Sequence, residues 1–172
     1  CSAFLAEEDL YQLPEMPKDY QDLTSQTQAV IDQGAEYSAP LTGENIQNIQ
    51  LQDLDGDGES ESALAFFRMG GEEKPLKIYI YRQHEDSYEL QSVIEGAGTN
   101  IHSVSYVNLD DDPDKEIVVS WQISEKVYLL AAYSVAPDQV VELFSTDYTS
   151  YQIMDMDQNG DQEIVVLKAA TE

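Results

Sequence analysis

The sequence is nearly devoid of the residues on which thiol, imidazole and zinc chemistry depend. One cysteine in 172 residues means that no disulfide can close within the chain and no Cys/His zinc cluster can assemble. The two histidines, His84 in the polar turn Gln83-His84-Glu85-Asp86 and His102 at the start of a strand-like stretch, have no nucleophile motif nearby. No Gly-x-Ser-x-Gly elbow and no Gly-rich phosphate loop occurs. Positive charge is scarce: 8 Lys and Arg face 34 Asp and Glu, a formal charge of −26. Such a chain is repelled by nucleic-acid phosphates and by anionic lipid. No apolar run approaches the length of roughly 20 residues that a transmembrane helix needs. Two carboxylates could serve a glycosidase, but among 34 acids some pair falls at a suitable separation by chance. The single tryptophan, Trp121, and most of the eleven tyrosines lie in or near strand-like stretches, where aromatics mainly pack. These absences point away from catalysis and towards binding.

What is present is acid, arranged three times on one template. The stretches are Asp53-Leu-Asp55-Gly-Asp57-Gly-Glu59-Ser-Glu61, Asn108-Leu-Asp110-Asp-Asp112-Pro-Asp114-Lys-Glu116 and Asp155-Met-Asp157-Gln-Asn159-Gly-Asp161-Gln-Glu163. Oxygen-bearing side chains recur at positions 1, 3, 5, 7 and 9, a spacing that lets one tight loop turn several of them onto a hard cation. Calcium suits such a set, because it takes six to eight oxygen ligands at about 2.3–2.6 Å in flexible geometry. An EF-hand is excluded: position 12, where its bidentate Glu belongs, is Leu64 in the first copy and Val166 in the third. Two to three ions are expected. The middle loop is the weakest candidate, because position 6 is Gly58 and Gly160 in the outer copies but Pro113 there, and proline fixes φ near −65°. The alternative is that these are Asx-turns without metal.

The flanking residues predict strands. Each loop is entered from an alternating stretch in which large residues stand four and two places before it: Ile49 and Leu51, Val104 and Tyr106, Tyr151 and Ile153. Each is left into a continuous apolar run, Ser62–Phe67, Ile117–Trp121 and Ile164–Leu167, the mark of a strand covered on both faces. Two more strands follow the first loop (Leu76–Tyr81, Tyr88–Ile94) and two follow the second (Val127–Tyr133, Val140–Phe144). The loops start at 53, 108 and 155, so a unit of about fifty residues carries four strands. That is the period of a propeller blade.

The Asp-x-Asp-x-Asp-Gly-x-x-Glu loop followed by an Ile-Val-Val strand, recurring at this interval over residues 45–168, resembles the FG-GAP and VCBS repeats of integrin-α-like β-propellers. Phe66-Phe67 is not followed by Gly and no Gly-Ala-Pro signature stands in place, so the likeness is to the looser bacterial VCBS-like group. The resemblance implies a mainly β fold of antiparallel four-stranded propeller-type blades, a partial or open β-propeller, in which calcium braces one face and ligands engage loops elsewhere. Two full repeats and the opening half of a third cannot close a ring of four or more blades. The expectation is part of a longer propeller, an open stack with covered ends, or pairing with another copy.

The remaining segments divide as follows. Residues 1–17 read as a flexible tether and 18–44 as a helix and lead-in, with Asp19 as cap, an apolar stripe of Tyr20, Leu23, Val30 and Ile31, and Gly34 as the left-handed terminator. Residues 45–172 hold the repeats. The lone cysteine stands at position 1, ahead of Ser2, Ala3 and an acidic stretch, as in the mature terminus of a bacterial lipoprotein. Membrane contact would then run only through lipid on Cys1. The sequence leads us to expect a calcium-stabilised, non-enzymatic, extracytoplasmic lipoprotein, anchored on the outer surface of the cell membrane, that binds a protein or glycan and no nucleic acid. The alternative is an accessory or carbohydrate-binding domain of a polysaccharide-degrading enzyme. Candidate ligand surfaces are the loops 70–74 and 95–99; the alternative is that both are plain turns.

Overall fold

The computed structural model describes residues 17–137, 139–155 and 160–168. The tether predicted for 1–17, including Cys1, falls outside this range except for Pro17. One helix, α1 (Lys18–Asp32), precedes β1 (Glu36–Tyr37), β2 (Ile49–Gln52), β3 (Ser62–Arg68), β4 (Leu76–His84), β5 (Ser87–Gly96), β6 (Asn100–Val107), β7 (Glu116–Gln122), β8 (Tyr128–Val135), β9 (Val140–Tyr148), β10 (Ser150–Met154) and β11 (Glu163–Leu167). The fold is mainly β, and every pairing is antiparallel.

The strands form three sheets whose divisions follow the sequence repeat. The first runs β2-β3-β4-β5, with the short β1 sharing the β2 edge of β3; the second runs β6-β7-β8-β9; the third is the hairpin β10-β11. Each acidic loop joins the first strand of a sheet to the second. The outer hairpins of the two large sheets are alike in a further detail: each carries one extra residue on its last strand, Gln91 opposite Ile80/Tyr81 and Leu143 opposite Ala132/Tyr133. Such bulges increase local twist and re-aim side chains. Gln91 uses this to donate from Nε2 to the Ala136 carbonyl of the neighbouring sheet (2.8 Å).

Side chains on both faces of the central strands stack the sheets into layers. Leu64, Phe66, Ile78, Ile80 and Ile94 of the first sheet meet Ile101, Val104, Ile117, Val119 and Trp121 of the second. On its opposite face the first sheet buries Ala63, Ala65, Phe67 and Tyr81 beneath Leu23 and Val30 of α1. The far face of the second sheet, with Val118, Leu130 and Ala132, receives Tyr151, Ile153, Ile164 and Val166 of the hairpin. The order is therefore helix, sheet, sheet, hairpin, with no ring closure among the described residues. As expected for strands covered on both sides, Ser62–Phe67 and Ile117–Trp121 are buried throughout. Each fully buried Phe or Ile contributes about 1.5–3 kcal/mol. β11 is only half-buried and its Leu167 is 62% exposed, because nothing in the described residues covers its outer face.

Two expectations need correction. Asp19 does not cap α1: the N-cap is Pro17 without a side-chain cap, and Asp19 instead accepts from Gln83 Nε2 (2.6 Å), which ties the helix to β4. The predicted stripe does face the sheet, joined by Thr27, whose hydroxyl donates back to the Leu23 carbonyl and so can be buried. Gly34 ends the helix with φ +106°. In β2 the burial phase is reversed, Gln50 being 4% and Leu51 44% exposed. The residues four and two before each loop face the preceding layer. For β6 and β10 that layer is a sheet, whereas for β2 it is the helix, which covers Ile49 but not Leu51. Gln50 points into the stack, accepts from Tyr106 Oη (2.6 Å) and donates to the carbonyls of Asn45 and Gln47.

Trp121 is core, not platform: it is 1% exposed and its Nε1 donates to Tyr133 Oη (3.1 Å). Its ring lies on Gly96, where an added Cβ would sit far inside van der Waals contact. The 95–99 segment is held there, with Thr99 N–H donating to the Gln122 carbonyl (2.8 Å) and Arg68 to the Thr99 carbonyl and the Asn100 side chain. It is thus a packed turn rather than a free surface loop. Gly96→Ala is expected to lower stability by about 1–3 kcal/mol, the range for overpacking, as read from urea unfolding midpoints.

Candidate metal centre

The first two loops fold alike because each aspartate turns its own backbone. In the first, the N–H groups of Asp57 and Glu59 donate to the carboxylates two residues back, Asp55 (3.2 Å) and Asp57 (2.8 Å). In the second, Asp112 and Asp114 do the same towards Asp110 (3.1 Å) and Asp112 (3.3 Å). The Asx-turn reading is therefore correct as far as it goes. These turns use only some of the acceptor positions of each carboxylate, and what they leave is concentrated in one place. Asp53, Asp55 and Asp57 bring oxygens within 4.8 Å of one another, as do Asp57, Glu59 and Glu61, and as do Asp110, Asp112 and Glu116. Asp114 joins no such group among the described residues. In the third loop Asp157 and Asn159 lie outside the described residues; Asp155 accepts from the Gly160 N–H (2.8 Å), and Asp161 and Glu163 each have a partner.

Position 6 separates the loops as its chemistry requires. Gly58 and Gly160 adopt φ +91° and +94°, which glycine reaches without strain, and each donates its N–H to the position-1 carboxylate, Asp53 (2.7 Å) and Asp155 (2.8 Å). Pro113 has no N–H. In the middle loop the position-1 acceptor, Asn108 Oδ1, is buried without a hydrogen-bond partner among the described residues, and so is Glu116 Oε2 on a residue only 2% exposed. A buried unpaired carboxylate oxygen is costly unless it is neutralised or coordinated. The middle loop, expected to be the weakest, is thus the one in which buried side-chain oxygens lack a hydrogen-bond partner among the described residues.

The titration of these groups follows from crowding. Burial pushes Glu116 up to about 7, helped by its hydrogen bond with Asp110 and by that residue's charge. Its partners diverge: the hydrogen bond between them lowers Asp110 and raises Asp112. In the first loop burial opposes ionisation of Asp53, but the N–H of Gly58, the Asp55 side chain and the N–H of Gly56 hold it low. Asp55 is raised by burial and its hydrogen-bonded neighbour Asp53. Glu61 is raised by the charge of Asp57, by burial and by Asp55, partly offset by Arg82. Arg82, a residue that the sequence reading did not single out, sits 3.3 Å from Glu61 and 3.7 Å from Asp55. Among the described residues no arginine pairs with a carboxylate of the middle loop.

Adjacent loops also touch. Lys115 N–H donates to the Leu54 carbonyl (2.7 Å), linking the second loop to the first, and Gln162 N–H donates to the Asn108 carbonyl (2.7 Å), linking the third to the second. Gly56, with φ +76°, lies so close to Pro113 that a Cβ there would overlap its carbonyl and ring. Comparison with protein-family models, with curated proteins and with solved structures finds no match for this chain.

Two expectations follow. Because the Glu116 pKa is raised on folding, its contribution to stability is complete below the ordinary value of 4.5 and is lost as pH rises through about 7. In EDTA the unfolding midpoint should therefore fall between pH 5 and pH 8, and Glu116→Gln should flatten that fall while weakening the response to added calcium. Gly56→Ala should cost at least about 1 kcal/mol through strain at positive φ and overlap with Pro113; denaturant midpoints with and without calcium test this.

Proposed function

We propose that the chain is a calcium-braced repeat protein of the FG-GAP/VCBS propeller type, acting by binding rather than catalysis. The observation that carries this reading is the recurrence of one acidic loop at the same point of successive stacked sheets, with the buried, unpartnered Glu116 oxygen inside one copy. A cation there would neutralise the cluster once Glu116 has lost its proton. Asp110, Asp112 and Glu116 would hold it in the middle loop, Asp53, Asp55 and Asp57 in the first. The donors are all oxygens, which favours calcium or magnesium over transition metals.

Bracing gives the function its mechanism. The loops fix the pairing of first and second strands, inter-loop bonds hold the sheets in step, and the surfaces away from the loops are free to present a protein or glycan ligand. The half-exposed outer face of β11 suits a further sheet or a second copy. An extracytoplasmic location belongs to the same proposal, and calcium at the levels outside cells matches modules that bind at about 10⁻⁴–10⁻³ M. Three ions would bring the formal charge from −26 to −20.

Thermal unfolding after EDTA treatment and then across about 10 µM to 10 mM calcium tests the reading. The midpoint should rise with calcium, and Asp55→Ala or Asp110→Ala should remove much of the rise. A midpoint indifferent to calcium in the wild type would leave the loops as turn chemistry alone.

A further inference from the structure

The first strands run into acidic loops at one end, and at their other end they frame a concavity of a different character. The lead-in 41–45 lies along β6, with the Leu41 and Thr42 N–H groups donating to the Ile101 (3.1 Å) and His102 (2.9 Å) carbonyls and Asn45 Nδ2 to the Val104 carbonyl (3.2 Å). Tyr151 of β10 closes the other side, its hydroxyl bonded to Ser103 Oγ (2.9 Å). The space between has a volume of about 490 Å³, within the range of small-molecule sites. A second concavity of about 430 Å³ adjoins it across Tyr148 and Thr149, lined also by Lys126, Tyr128 and Lys168.

Three properties define what would fit. An aromatic row crosses the region: His102 to Tyr128 (4.8 Å), Tyr128 to Tyr148 (5.9 Å) and Tyr148 to Tyr151 (5.2 Å). The hydroxyls of Tyr148 and Tyr151 are tied to Ser120 and Ser103, so the rings are fixed before a ligand arrives and lose little entropy on binding it. Next, the hydroxyls of Ser105, Thr149 and Ser150 line the first concavity with no protein hydrogen bond among the described residues, leaving donors and acceptors for a polar ligand. Finally, Glu44 is the only carboxylate among the described residues of that lining, in a chain with 34 acidic residues. The site is close to neutral on a protein that repels anions.

We infer that this concavity binds a neutral oligosaccharide, with sugar faces laid on the tyrosine rings, sugar hydroxyls met by Ser105, Thr149 and Ser150, and a longer chain continuing past Tyr148 towards Lys126. The inference rests on the reading of the protein as a binding module, and it places the ligand here rather than on the 70–74 or 95–99 turns.

The test is calorimetric titration of the calcium-loaded full chain with a panel of neutral malto-, cello-, xylo- and manno-oligosaccharides. Wild type should bind at least one with a Kd of about 1 mM or below. Ser150→Trp, which fills the concavity from an exposed rim position, and Thr149→Ala should each weaken it about tenfold, while Lys74→Ala in the distal turn should not. Calcium-dependent unfolding midpoints of each variant, expected within a few degrees of wild type, separate lost binding from lost folding. No binding by any panel member, or binding that the rim variants leave unchanged, overturns the site while an intact calcium response keeps the bracing. Oligosaccharide binding lost in the rim variants of a protein indifferent to calcium supports the site and removes the bracing.

Discussion

A sheet whose central strands are apolar on both faces cannot be stable with one face wet, and every larger feature of this protein answers that constraint. β3 and β7 are buried up to their last residues, Arg68 and Gln122, so each sheet requires a layer on either side. For the first sheet those layers are α1 and the second sheet; for the second sheet they are the first and the β10-β11 hairpin. The helix stands where another sheet would otherwise be needed. Its polar and acidic outer face meets water, while Thr27 meets the sheet only by satisfying its hydroxyl within the helix. Gln26 and Asp22 fix its placement, the first donating to the Tyr88 carbonyl and the second accepting from the Tyr88 N–H.

Stacking in this way forces like charges together. The turn between first and second strands occurs at the same height in successive layers, so the acidic loops are neighbours as well as repeats, joined by the Leu54–Lys115 and Asn108–Gln162 backbone bonds. The protein meets the resulting field differently in each copy. Arg82 partly balances the first loop, whereas the middle loop buries Glu116 and leaves its oxygen without a donor. Burial excludes water, the solvent that would otherwise screen the charge.

Much of this was legible in the sequence, because strands that repeat in register leave the same pattern each time. Ser62–Phe67 and Ile117–Trp121 announced doubly covered strands, and Gly34, Gly58 and Gly160 announced left-handed backbone. What stayed hidden depended on which layer lies opposite. Alternation in Ile49-Gln50-Leu51 gives the directions of the side chains but not which side is better covered, so Leu51 is exposed and Gln50 is not. The 95–99 turn reads as a candidate ligand surface until Trp121, from another strand, is seen lying on Gly96. Glu116 belongs to the acidic template like Glu61, and only the packing around it distinguishes a buried oxygen from a half-exposed one. Long-range partners such as Arg82 left no local mark.

The meeting of Gly56 with Pro113 bears on how such an array can grow. Position 4 of the loop is Gly56 in the first copy but Asp111 in the second, and position 6 is Pro113 in the second copy but Gly160 in the third. Were the second repeat duplicated in tandem, the aspartate side chain of one copy would be driven into the proline of the next. The first two loops are therefore not interchangeable: the first is shaped for the second by a single missing Cβ.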